Sequence, residues 1–575
     1  MEVVWNLTHL YDSRNMWKKD TVKLEKLIKE LSELDILDSK ESLNNFFRQL
    51  NDCYDLVEKV YLYPKRILDL DNTDDEAKEM MTCAIELYNA YLKEENYYKK
   101  VLVDSKEHVM KLIKTDDYWY RYVYMILRKG DHIARDEVLS KYNEKFPNIR
   151  VRYQTLLDDE IKFCDIECDG EIKEVTRKNY SRLLEDEKQE NRYKAFASYM
   201  NGYKDHAEEI TNLYVEKLKN DINLYRSEGY HSLLEKKLFE LELNPDTLDR
   251  VIKSVNENLD IMHNYIKIKK TNSGLKEFHT YDTYVASLGG KSRSVEYEES
   301  VELVKEALKP LGNEYAKVVD EIINNGWIDV YPKEHKRMNP STAISYNGVP
   351  YILLNYAKNL DGSRTLAHEI GHAVHTYFSK TSNGVEYFEF DLFLTEIVSK
   401  VNEILFNEYL LSKARDESEK KEILSNIVGS LGNSLFNQTM TTEFEHSVIR
   451  LLEDGKEVNA DYLNKEYLEV MKKYNGEALT IDELNQYGWL LVTHLVWQES
   501  YSLYQYVTGL ACGTSIALKI MSDKTYVDKY LKLLRAGRTM SIEEALKLVD
   551  VDINDDGYLN DALNYLNEKI EELKN

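Results

Sequence analysis

The sequence predicts a mainly α-helical protein with one small β-sheet in its middle. Three observations carry this reading. There are only 22 Gly and 7 Pro in 575 residues, against average usages of about 7% and 5%, and a β-sandwich or barrel of this size needs far more turn residues. Apolar residues recur at helical 3/4 spacing over long stretches. Prolines crowd into one central region, where the helical pattern stops.

Taken in order, 22–37 sets Leu24, Leu27, Ile28 and Leu31 on one face, with Lys and Glu between them. Met81 to Leu102 behaves likewise, and Pro64 is the only proline before residue 147. A second helical run is expected from Asn179 to Tyr225, charged on one face. A boundary near residue 185 divides an N-terminal helical lobe, 1–185, from a catalytic lobe, 186–575, although no linker composition marks it. Pro332, Pro340 and Pro350, with Gly289, Gly290, Gly326, Gly348 and Gly362, then interrupt the helices. Between Ala343 and Tyr356, an Asn347-Gly348 pair separates two apolar runs, which predicts a hairpin. After Asp361 the helical pattern returns and continues to the end.

The balance of 76 Lys+Arg against 102 Asp+Glu gives a formal charge of −26. That excludes a nucleic-acid surface or an anionic membrane as the main partner, since both require clustered basic residues. A hydrophobic share of 43% and a charged share of 31% fit a folded globular chain. Cys53, Cys83, Cys164, Cys168 and Cys512 are odd in number and scattered, as expected of reduced thiols; Cys164 and Cys168 lack the second pair of a metal site. The N-terminus shows no basic region followed by an apolar stretch. No run approaches the ~18 apolar residues of a membrane span. The expected location is the cytoplasm.

The chemistry sits just after the sheet, in Thr365-Leu-Ala-His-Glu-Ile-Gly-His-Ala-Val-His-Thr-Tyr-Phe378. On a helix, His368 and His372 are four apart and share a face, so both imidazoles reach one metal ion. Glu369 is placed to hold and deprotonate a water at that ion. The pattern H-E-x-x-H should arise by chance only about 0.03 times in such a chain. The extended version would need Gly at 375 and His at 378, where this sequence has His375 and Phe378. The alternative third ligand is an acid on the next helix. Glu396 lies in a good helical stretch, 393–405, and shares a face with Ser399 and Glu403 at i, i+3 and i+7. An inward acid on an apolar helix needs a partner or a metal. Glu396 is therefore the expected third ligand, with Ser399 and Glu403 orienting it and the imidazoles from behind. Two His and one carboxylate leave a coordination position open, the arrangement of a catalytic zinc. His375 is expected to lie behind the site.

These segments, with Pro350-Tyr-Ile-Leu-Leu-Asn-Tyr356 and Thr395-Glu-Ile-Val-Ser399, resemble oligoendopeptidase F of the thimet-oligopeptidase-like zinc metallopeptidases. Trp5-Asn-Leu-Thr-His-Leu-Tyr11 is similar to the family's opening, and Arg226-Ser-Glu-Gly-Tyr230 and Tyr281-Asp-Thr-Tyr284 are similar to weaker family patches. The resemblance implies a helical bowl with a deep central channel, one zinc per chain at its base, and the small sheet beside the zinc helix. It implies cleavage of short, unfolded oligopeptides. The strand around Tyr351–Tyr356 would pair with an extended substrate, giving Tyr351 and Asn355 a substrate-binding role.

The segment from His494 to Gly509 resembles the family's His-and-Tyr element, whose side chains donate hydrogen bonds to the oxyanion. It nominates His494, Tyr501 and Tyr504, with Tyr506 as an alternative tyrosine. His494 stands about two residues earlier than the family spacing. Near the C-terminus, Asp552-Ile-Asn-Asp-Asp-Gly557 imitates a calcium loop, but Leu563 occupies the position of the bidentate Glu. A turn whose Asp side chains cap the next helix is the expected reading. The functional expectation is a zinc metalloendopeptidase. Its rivals are a peptide-binding protein that keeps the fold and a carboxypeptidase with a related helical fold. Monomer and homodimer stay equally open.

Overall fold

Short polar residues open the N-terminal helices. Ser13, Ser39 and Asp74 each accept a hydrogen bond from a backbone N–H of the following turn, starting Arg14–Leu31, Lys40–Leu70 and Asp75–Asp104. The first helix thus reaches back beyond the stripe read from residue 22, because Trp17 and Thr21 continue its buried face. Pro64 is accommodated inside the second helix. The computed structural model describes residues 3–34, 36–115, 117–284 and 293–574; Gly289 and Gly290 lie outside them.

The chain forms two compact units, each assembled from three stretches. The first comprises Met1–Asp131, Arg293–Tyr409 and Ile516–Val551; the second comprises His132–Ser292, Leu410–Ser515 and Asp552–Asn575. Residue 185 falls inside the second. Both units are mainly helical, as the sparse Gly and Pro predict.

The second unit contains a sheet that the sequence reading missed. Strands β1 (Ile166–Cys168) and β2 (Glu171–Lys173) pair antiparallel across Asp169-Gly170. Both turn residues have positive φ, 55° and 83°, as a two-residue type I′ turn demands. In the same unit the expected helical run breaks into Tyr180–Leu183, Gln189–Lys204 and Ala207–Ser227. Asp552 Oδ1 and Asp555 Oδ1 accept from the Asn554 and Gly557 N–H groups, at 2.9 and 2.7 Å. These bonds start the helix Gly557–Lys574, in which Leu563 is buried.

The first unit holds a three-stranded sheet in the order β3 (Ile328–Asp329), β5 (Ile352–Leu353), β4 (Ser341–Thr342). β3 and β5 run parallel, and β4 and β5 antiparallel with Ser341 opposite Leu353. The expected hairpin is present, but Asn347-Gly348 is not its tight turn. The connection spans 343–351, and neither residue takes a positive φ. Helix contacts hold that long loop instead. Glu58 accepts from the Tyr346 and Asn347 N–H groups, Asn347 Nδ2 donates to Asp55, and Lys380 Nζ donates to the Tyr346 and Gly348 carbonyls. The sheet is also tied to the N-terminus, where Trp5 Nε1 donates to the Ile352 carbonyl at 2.8 Å. Ala343, Tyr351 and Leu353 join the apolar core built by the three N-terminal helices.

Candidate metal centre

Asn359 caps the motif helix, Leu360–Ser382, by accepting from the Gly362 N–H at 2.9 Å. Leu366, Ala367, Ile370, Ala373 and Val374 are fully buried, so the helix is fixed along its length. Its neighbours in the unit include Tyr297–Ala307, Gly312–Asn324 and Val527–Ala536. The carboxylate helix, Leu392–Ser412, crosses it at Gly371. A Cβ on Gly371 would stand 2.8 Å from Ser399 Cα and 3.1 Å from Ser399 N. Only a glycine lets the two backbones touch there, and that contact carries Glu396 alongside the imidazoles. Gly371→Ala is therefore expected to cost about 1–3 kcal/mol of stability and to loosen metal binding, as thermal unfolding and a metal titration would read out.

The expected ligands converge. His368 Nε2 and His372 Nε2 lie 2.9 Å apart, and His372 Nε2 lies 4.0 Å from Glu396 Oε1. One ligand atom from each residue falls within 4.8 Å of the others. Glu403 Oε1 accepts from His368 Nδ1, which puts the ring proton on the outer nitrogen and turns the Nε2 lone pair inward. Two inward imidazole nitrogens and a carboxylate oxygen are a donor set that fits a divalent cation, zinc above all. The two imidazoles differ in their electrostatics. Burial, then the charge of His368, holds His372 far below the ordinary imidazole range. Burial also opposes charge on His368, but the bond to Glu403 outweighs it and raises that pKa. Burial likewise opposes ionisation of Glu403, yet Lys400 and His368 keep it well below the usual carboxylate range.

Glu369 is buried beside the ligands, and burial pushes its pKa upward. Thr342 on β4 donates to Glu369 Oε2 at 2.6 Å, so the sheet fixes this carboxylate directly. Thr342 carried no signal in the sequence. Lys400 was also missed, although its i, i+3 spacing to Glu403 was legible; its Nζ donates to Glu403 Oε1 at 2.8 Å. Ser399 differs from expectation. Its hydroxyl donates to the Glu396 carbonyl within its own helix, and its service to the site is the close approach at Gly371. His375 is buried and stacks on Phe390 with ring centroids 3.6 Å apart.

The substrate-binding expectation for Tyr351 and Asn355 needs correction. Tyr351 is 1% exposed, its ring packs on Trp5 and its hydroxyl donates to the Asn6 carbonyl at 2.9 Å. Asn355 Nδ2 donates to the Arg337 and Met338 carbonyls and so ties down a loop. β5 is the central strand and has no free edge for a peptide. Tyr351→Phe should leave KM unchanged and cost about 1 kcal/mol of stability, measurable by denaturant unfolding.

The second unit holds His494, Tyr501, Tyr504 and Tyr506. His494 is exposed, with the Tyr506 ring edge-on at 6.4 Å. Tyr501 and Tyr504 are core residues instead, 1% and 0% exposed. Tyr501 takes a φ of 60°; its N–H donates to Glu445 and its hydroxyl bonds His446 Nδ1 at 3.0 Å. The same unit brings Glu160, His206 and Glu209 together, but Arg152 already pairs with both carboxylates.

The sequence profile of peptidase family M3 matches residues 182–565. The chain belongs to peptidase family M3. It is 27% identical to oligopeptidase PepF of Bacillus subtilis, over 100% of this chain and 87% of the relative. It is also 27% identical to an oligoendopeptidase F homolog of Borreliella burgdorferi, over 99% and 97%. The fold is similar to that of oligoendopeptidase-F from Enterococcus faecium, with a TM-score of 0.74 and 23% identity over 97% and 98% of the two chains. A structure from Chlamydophila abortus reaches a TM-score of 0.88 at 24% identity over 99% and 98%. The family resemblance read from the sequence is thus borne out, and this M3 chain is a metallopeptidase.

Proposed function

We propose that this M3 chain is a zinc metalloendopeptidase that hydrolyses internal bonds of short, unfolded oligopeptides, with one zinc per chain held by His368, His372 and Glu396. The convergence of these three side chains beside the buried Glu369 carries the reading. The names of the PepF and oligoendopeptidase F relatives support the substrate class. A bound zinc would supply Lewis acidity, acidifying a water and polarising the scissile carbonyl. Glu369 takes the proton of the attacking water and returns it to the leaving amine. Its burial suits that task, since a carboxylate shielded from bulk water is held in place to take the proton and pass it on. Thr342 occupies Oε2 of Glu369 and leaves Oε1 for the water. Glu403 keeps His368 in one tautomer.

The extended substrate is assigned to β4 rather than β5. The Ala343 N–H donates to the Tyr351 carbonyl, so by strand alternation the backbone groups of Thr342 and Ile344 face the opposite edge. Among the described residues no helix is long and apolar enough to cross a membrane, and a cytoplasmic location is part of the proposal. Mass spectrometry of a digest of end-blocked peptides of 8–12 residues, with and without chelator, tests the reading. Internal, chelator-sensitive cuts are expected. Intact end-blocked peptides, with trimming only of the same peptides carrying a free C-terminus, would favour the carboxypeptidase, and retention of both without cleavage the peptide-binding protein.

A further inference from the structure

We propose that Lys400 is a tuning residue that weakens the hold of the His368–His372–Glu396 centre on its cation. The inference rests on the zinc reading above and concerns a side chain that reading does not use. Glu403 Oε1 is a shared acceptor: His368 Nδ1 and Lys400 Nζ both donate to this one oxygen. A carboxylate behind a metal-binding imidazole strengthens the ligand by drawing on its outer proton. An ammonium on the same oxygen competes for that electron density, so His368 becomes the poorer donor. The Lys400 side chain is only 15% exposed and that of Glu403 16%, so water screens the charge weakly. Lys400 also lies four residues after Glu396 on the same helix, so its positive charge stands on the face that carries this ligand. It therefore opposes any cation that Glu396 and the two imidazoles hold. The consequence is a centre that binds its ion less tightly and withdraws more electron density from whatever the ion polarises.

The test is a zinc affinity measurement on metal-free protein, by competition with a chromogenic chelator, for the wild type, Lys400→Gln and Lys400→Arg. Gln keeps a hydrogen-bond donor for Glu403 but removes the charge; Arg keeps the charge. Lys400→Gln should bind zinc about 10-fold tighter, and Lys400→Arg should stay within about twofold of the wild type. Lys400→Met provides the same comparison if the Gln variant does not fold. Equal or weaker binding by the uncharged variants would overturn the inference and reduce Lys400 to a residue that merely holds Glu403. Stoichiometric zinc on the wild type, lost in His368→Ala, separates that failure from failure of the zinc centre itself. A wild type that takes up no zinc would remove both.

Discussion

Glu369→Gln is expected to bind zinc as the wild type does and to lose turnover by about 10²–10⁴-fold, the range that a positioned acid–base group supplies. The substitution is nearly isosteric. Its carbonyl oxygen can still accept the Thr342 hydroxyl, which lies 2.6 Å from Glu369 Oε2, so the sheet and the motif helix stay in register. What is lost is the capacity to take a proton from water and give it to an amine. The effect should fall on kcat, with KM little changed, because Glu369 is asked to act in the transition state rather than in ground-state binding. Steady-state kinetics with a quenched peptide, together with metal analysis, check this. Near-normal cleavage would sink the assignment of the base.

Glu396→Ala should act earlier, on the ion itself. It removes one of three donor groups and leaves two imidazole nitrogens 2.9 Å apart without the carboxylate that offsets the cation's charge. Zinc content should fall well below one per chain. Cleavage should fall with it by about 10³-fold, which corresponds to the several kcal/mol of charge stabilisation that a catalytic metal supplies. Glu403→Gln is the informative contrast. It touches His368 but offers no atom to the ion, so a loss of only about 10–100-fold in metal affinity is expected. Equal losses in the two variants would mean that Glu396 is no more a ligand than Glu403.

Much of this centre was legible because helix periodicity alone fixes it. His368 and His372 share a face by spacing, and Glu396 and Glu403 follow from the same rule on the next helix. Two parts were not. Thr342 reaches Glu369 from a two-residue strand 27 positions earlier, a contact set by tertiary packing. The role of Gly371 is invisible until the carboxylate helix is laid against it. The turns show the same limit of local signals. Asp169-Gly170 forms the tight hairpin turn, while Asn347-Gly348 does not, because Glu58, Asp55 and Lys380 satisfy that loop from helices far away in sequence. Tyr351, Tyr501 and Tyr504 were misplaced for a related reason. A tyrosine's sequence pattern is the same whether its hydroxyl meets a substrate or a core carbonyl.

The most direct test is reconstitution. Chelator-treated protein is titrated with zinc while cleavage of an end-blocked 8–12-residue peptide is followed and bound metal is counted. The account predicts that cleavage is absent without metal and returns linearly to a break at one zinc per chain, with no return in His368→Ala. Cleavage that survives complete removal of metal, or a full zinc complement at His368, His372 and Glu396 that restores none, would contradict it.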